Sequence, residues 1–106
     1  RYLKEMRNPE VLLPEVATHG VPCWHLFAVR CRSRDDFQSF LAARGIQTVI
    51  HYPVSPHQQE AYAEWRGLSF PITEAIHREI ISLPNSPVIS DAEVDAVISA
   101  INQYHP

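Results

Sequence analysis

Residues 48–62 read TVIHYPVSPHQQEAY, and three of their side chains can do chemistry: His51, Tyr52 and His57. An imidazole can donate, accept or carry charge near neutral pH, and a phenol can donate and accept. Imidazole and phenol are adjacent here, at the end of a β-branched run. Successive strand residues face opposite sides, so one ring can pack inward while its neighbour meets a ligand, and strand ends in α/β proteins are where clefts open. Pro53 and Pro56 restrict the backbone that follows, which lowers the entropy lost when a ligand is gripped. Stiffness with hydrogen-bonding groups on top describes a recognition loop. For Tyr52 and His57 a structural reading stands beside it, in which they pin the loop to a helix starting near Gln58.

The other reactive residue types point to less. His51 with Cys31 or Cys23 would make a base and a nucleophile, but neither cysteine has a recognisable catalytic context, and both read as core or strand-end thiols. His51 and His57 are six residues apart across a stiff loop, a spacing that matches neither the i, i+4 helical pair nor a Cys-x-x-Cys arrangement, so no native metal site is expected. His25 should share a strand face with Phe27 and Val29 as a half-buried ring bonded to a backbone carbonyl. His19 and His105 read as solvated, and His77 as lying on an exposed or boundary helix face. Arg30, Arg32 and Arg34 form the one basic cluster, read as a solvated strand end.

Composition narrows the class. The chain has 106 residues, 45% hydrophobic and 20% charged, with a formal charge of −3 from 9 basic and 12 acidic side chains. That length is one domain. The charge argues against a general nucleic-acid binder, which needs clustered Lys and Arg. No apolar run approaches the roughly 20 residues of a membrane span. Cys23 and Cys31 flank a segment predicted to be extended, too far apart to bridge; free thiols and a cytoplasmic setting follow. Arg1 opens the chain and Met6 is its only methionine, so a longer parent is expected. Residues 1–9, with helical spacing at Tyr2, Leu3 and Met6 but no preceding cap, read as the remnant of a preceding helix, and 10–106 as the domain itself.

The elements that must carry the loop can be read in turn. Residues 23–31, CWHLFAVRC, are apolar on both alternating sets and read as a strand covered on both faces, one cover being the domain's helices and the other lying outside this sequence. Residues 33–45 read as a helix, with Ser33 as cap, Asp35 and Asp36 at its positive end, Phe37, Phe40 and Leu41 as its buried stripe and Gly45 as its stop. IQTVIHY follows as a second strand. The tight strand, helix, strand succession predicts a right-handed crossover, with an antiparallel return to another edge as the alternative. A short helix from Gln58 should turn Ala61, Tyr62 and Trp65 inward. Pro71 should start a helix using Ile72, Ile76 and Ile80, which runs into a third strand ended by Pro84. In the last helix Ser90 and Glu93 make a capping box, Ile89 staples to Val94, and Val94, Val97, Ile98, Ile101 and Tyr104 form the apolar face. The fold class is α/β: a small α+β sandwich with a short sheet and helices mainly on one face.

Three stretches carry a resemblance: HLFAVRC, then SRDDFQSFLAARGIQTVIHYPVSPHQQEAY, then FPITEAIHREIISLPNSPVISDAEVDAVISAI. From Trp24 onward, in order and spacing, the chain resembles the C-terminal part of the DegT/DnrJ/StrS sugar aminotransferases. The HYPVSPHQQEAY version is most similar to members acting on a dTDP-linked 3-keto-6-deoxyhexose. Ser55 and Gln58 stand where that subgroup commonly has proline and leucine.

The resemblance implies the small C-terminal domain of the aspartate aminotransferase fold, in a homodimeric parent that uses pyridoxal phosphate to move an amino group, usually from glutamate, onto a nucleotide-linked keto sugar. It implies that the lysine holding the cofactor, and the phosphate cup, belong to a large domain outside this sequence, so no catalytic and no cofactor-binding residue is expected here. His51 and Tyr52, and less directly His57, are the substrate-binding candidates, placed to hydrogen-bond sugar hydroxyls or phosphate oxygens. The rival reading is a non-catalytic small-ligand-binding or regulatory module that has the fold without the lysine.

Overall fold

The computed structural model describes residues 1–106. In chain order its elements are α1 (Tyr2–Glu5), β1 (Val11–Leu12), β2 (Phe27–Cys31), α2 (Arg34–Ala42), α3 (Pro71–Glu79), β3 (Ile80–Leu83) and α4 (Asp91–Gln103), with 3-10 turns at Pro56–Gln58 and Glu60–Trp65 before α3. The strands form one antiparallel sheet in the order β1-β2-β3. Its register sets Phe27 opposite Leu83 and Val29 opposite Ile81. These residues share one face because strand side chains alternate, and Val11 and Cys31, paired at the other edge, extend it.

That face is the core. Phe37 and Leu41 of α2, Val97, Ile98 and Ile101 of α4, and Tyr104 just beyond α4 pack into one cluster with it. Two helices cover one side of a short sheet, the α/β layering that the periodicity predicts. At the start of α4 the Ser90 hydroxyl accepts from the Glu93 amide while the Glu93 carboxylate accepts from the Ser90 amide at 2.8 Å, the reciprocal capping box. Tyr104 is fully buried; burial first, then the bond its hydroxyl donates to Asp36 Oδ2 at 2.8 Å, holds its phenol well above the ordinary range.

Several expectations change. The strand at 23–31 begins only at Phe27, because Trp24 adopts a left-handed backbone with φ 48° while its carbonyl accepts from the Asn85 amide. His25 is therefore exposed instead of sharing the buried face of Phe27. The second strand shrinks to one antiparallel bridge, Val49 to Ser82. Carrying that register two residues on would set Gln47 opposite Pro84, which has no N–H to give. Since β2 and the Val49 segment are each antiparallel to β3, they run parallel to one another with β3 between, so the crossover skips a position.

Helix details differ as well. Ser33 is the N-cap residue of α2 but makes no side-chain cap bond. Gly45 does stop the chain turn, at φ 75°. The helix expected after Gln58 is a kinked 3-10 turn with Ala61, Tyr62 and Trp65 exposed. In α3, Ile72 is 79% exposed and Ile80 already belongs to β3.

Asn8 closes the other end of the fold. Its buried amide donates to the carbonyls of Ile101 at 2.6 Å and Tyr104 at 2.7 Å, where α4 runs out of partners of its own. Asn8→Ala should lower stability by about 2 kcal/mol, since it strands buried acceptors. Asn8→Asp should cost more, because it turns a carboxylate toward two carbonyls. Urea midpoints at unchanged slope are the measurement.

Candidate functional site

Ser82 lies between Ile81 and Leu83, which face the core, so its side chain leaves the sheet on the side away from α2 and α4. There its Oγ meets His51 Nδ1 at 3.0 Å. His51 thus sits half-exposed over the second face of the sheet. Beside it a shallow recess of about 210 Å³ is bordered by Gln47, Thr48 and Asn85 among others.

Tyr52 is joined to His51 by a cis peptide bond. Its ring is 66% exposed and stands nearly perpendicular to the imidazole, 5.6 Å away at 86°. Its backbone, by contrast, is held. The Tyr52 carbonyl accepts from His77 Nδ1 at 2.6 Å, and since a carbonyl can only accept, that nitrogen carries the proton.

His57 lies at the far end of the loop and is only 4% exposed. Its Nε2 donates to Glu74 Oε1 at 3.1 Å, and its ring meets Phe70 edge-on at 4.9 Å. The same carboxylate oxygen accepts the Phe70 amide at 2.8 Å. The Phe70 amide is the main reason the Glu74 carboxyl is held below the ordinary range, with partial burial opposing and the His57 bond adding to it. Ser55, 2% exposed, donates to Gln58 Oε1 at 3.0 Å. Ser55 and Gln58 therefore touch one another.

His51 and Tyr52 are brought together on an open face, while His57 is turned into the seam between the first 3-10 turn and α3. Two residues of this site, Ser82 and Glu74, went unread in the sequence, and His77 was placed on an exposed or boundary helix face without a role. The only trace of a shared role for Glu74 and His77 is their i, i+3 spacing on one face of a helix, and nothing local says what faces them. Arg30 and Arg34 are engaged rather than merely solvated: Arg30 pairs with Glu79 at 2.7 Å, and Arg34 pairs with Asp35 at 2.9 Å and donates to the His77 carbonyl at 2.7 Å. Cys23 is exposed, Cys31 is buried and both are free. No helix is long and apolar enough to cross a membrane.

Comparison with known proteins decides the lineage. The sequence profile of the DegT/DnrJ/EryC1/StrS aminotransferase family matches residues 1–102. This chain belongs to that family. It is 52% identical over 103 residues to the dTDP-3-amino-3,6-dideoxy-alpha-D-galactopyranose transaminase of Aneurinibacillus thermoaerophilus, covering 97% of this chain and 28% of that protein. Among solved structures it is similar to S. venezuelae DesV, with a TM-score of 0.85 and 40% identity over 90% of this chain and 26% of the other. It is also similar to Bacillus subtilis NtdA with bound cofactor PMP, with a TM-score of 0.74 and 28% identity over 88% of this chain and 22% of the other. The chain thus spans between 22% and 28% of the length of these relatives.

The Glu74 clasp has a definite pH sign. A carboxyl whose folded value is depressed stabilises above its unfolded value and loses that contribution as pH falls through the folded one. The clasp should be intact above the ordinary value of 4.5 and open as pH falls below it. The protection of the Phe70 and Gln58 amides, taken relative to their intrinsic exchange at the same pH, should fall on acidification in that window. Glu74→Gln should remove this acid-dependent step and leave lower protection at every pH.

Proposed function

We propose that this chain is the small C-terminal domain of a PLP-dependent aminotransferase that moves an amino group from glutamate to a dTDP-linked 3-keto-6-deoxyhexose. Family membership supports the reaction class, and the dTDP-3-amino-sugar transaminase at 52% identity supports the substrate class. Within the chain, the observation that carries the reading is the pair His51 and Tyr52: two hydrogen-bonding rings on an open face, backed by Ser82 and His77. Residues 10–106 make up the domain and 1–9 close a helix arriving from the rest of the protein. The parent is a cytoplasmic homodimer.

The residues of this chain do not fit the cofactor unaided. Such a site needs a lysine for covalent attachment, an anion cup for the phosphate and a partner for the pyridine nitrogen. Lys4 is the only lysine, exposed on the short α1. The cofactor belongs to the remainder of the parent, and the part played by this chain is to wall the site. His51 and Tyr52 orient the sugar nucleotide through hydrogen bonds, and His57 secures the loop that carries them.

The test uses the full-length protein. It should purify with, or take up, pyridoxal phosphate and show the visible band of the bound cofactor. That band should disappear when the large-domain lysine is replaced. Tyr52→Phe and His51→Ala should each weaken use of the keto-sugar nucleotide by about tenfold, the effect of losing one hydrogen bond, and leave the half-reaction with glutamate unchanged. A full-length protein that never binds the cofactor would refute the proposal.

A further inference from the structure

Residues 50–54 make no backbone–backbone hydrogen bond. The segment that displays the candidate rings is therefore outside the ladder that orders the sheet. Pro53 has no N–H to contribute, and the bridge to β3 stops at Val49. What holds this segment is side-chain chemistry: His51 on Ser82 at 3.0 Å, His77 on the Tyr52 carbonyl at 2.6 Å, and the Gln59 amide on the Val54 carbonyl at 3.1 Å. Of these, the His77 bond is the one made to the peptide that carries the exposed phenol.

His77 is itself firmly placed. It is half-buried on α3, its own carbonyl accepts from Arg34 at 2.7 Å, and Glu79 two residues on is paired with Arg30 of β2. Glu74, three residues earlier and so on the same helix face, holds His57 at the other end of the loop. One face of α3 therefore grips both ends of residues 52–57.

The chemistry on display suits a sugar ring better than a phosphate. Phosphate oxygens call for guanidinium or ammonium groups, and the nearby Arg30 and Arg34 are already paired with Glu79 and Asp35. A phenol and an imidazole at right angles offer hydrogen bonds and an apolar ring face to a hexose.

We infer that His77 is a positioning residue for substrate: its bond to the Tyr52 carbonyl fixes the direction in which Tyr52 and His51 meet the sugar ring. The inference rests on the nucleotide-sugar reading above. His77 touches no substrate and acts through the loop. Asn at this position can bring an amide N–H close to where Nδ1 stands, whereas Phe keeps the ring and removes the donor.

The experiment is calorimetric titration of the full-length protein with dTDP-glucose and, separately, with dTDP. His77→Phe should weaken dTDP-glucose by about tenfold, leave dTDP within about twofold and keep the thermal midpoint of the wild type. His77→Asn should recover most of the lost affinity. In a His51→Ala/Tyr52→Ala background His77→Phe should add nothing, as expected of residues that act as one unit. Equal weakening of both ligands, full affinity in His77→Phe, or a wild type that binds dTDP-glucose no more tightly than dTDP overturns the inference. A wild type that binds neither ligand overturns the nucleotide-sugar reading, and the inference falls with it.

Discussion

Between Val49 and Ser55 the main chain finds no main-chain partner, and that gap governs how this domain presents its surface. A sheet edge normally orders the next segment by lending it a row of N–H and C=O groups. Here a single bridge, Val49 to Ser82, is all that β3 lends to it. The segment that follows must be held by side chains reaching to it from elsewhere. Each such bond fixes one point without imposing a regular strand, which leaves the loop free to aim its rings away from the sheet.

α3 supplies the point at Tyr52 and a second at His57, and it can do so because it is tied down on three sides. Pro71 occupies its first turn, where a missing N–H costs nothing. Its last turn is stitched to α2 and β2 by Arg34 and Arg30, and its last residue, Glu79, passes directly into β3. A shift of the helix would therefore drag the sheet with it. Because Glu74 Oε1 accepts from both Phe70 and His57, the oxygen that completes the helix start also clamps the first 3-10 turn. Helix, turn and loop form one mechanical unit on the sheet face that α2 and α4 leave open.

The parts of this arrangement that were legible in the sequence are those whose determinants are local. Ser90 and Glu93 announce α4 because the capping box is written within four residues, and Phe37, Leu41, Val97 and Ile101 fall on helical stripes that any short window reveals. The strand at Phe27, Val29 and Cys31 was legible as apolar, but with both alternating sets apolar the sequence did not name which face is buried. His51 and Tyr52 stood out because rings beside prolines are unusual turn material. What failed was set by distant partners. Trp24 looks like a strand residue and becomes left-handed where Asn85, sixty-one residues on, takes its carbonyl. Tyr62 and Trp65 have helical spacing, yet they stack on one another 4.6 Å apart on the surface. Glu74 and His77 are unremarkable helix residues until the loop arrives opposite them.

The Ser55 and Gln58 pair shows how such a loop can be tightened by a buried hydroxyl. A buried hydroxyl without a partner is costly, so Ser55, 2% exposed, would by itself weaken the turn. Gln58 removes that cost by accepting from the hydroxyl at 3.0 Å, while its backbone amide donates to the Ser55 carbonyl at 2.9 Å. The serine–glutamine pair therefore closes this turn twice, once through the main chain and once through side chains. The ends of the loop, at Tyr52 and His57, have their anchors on α3, so the pair orders the middle of the loop while the helix holds its ends.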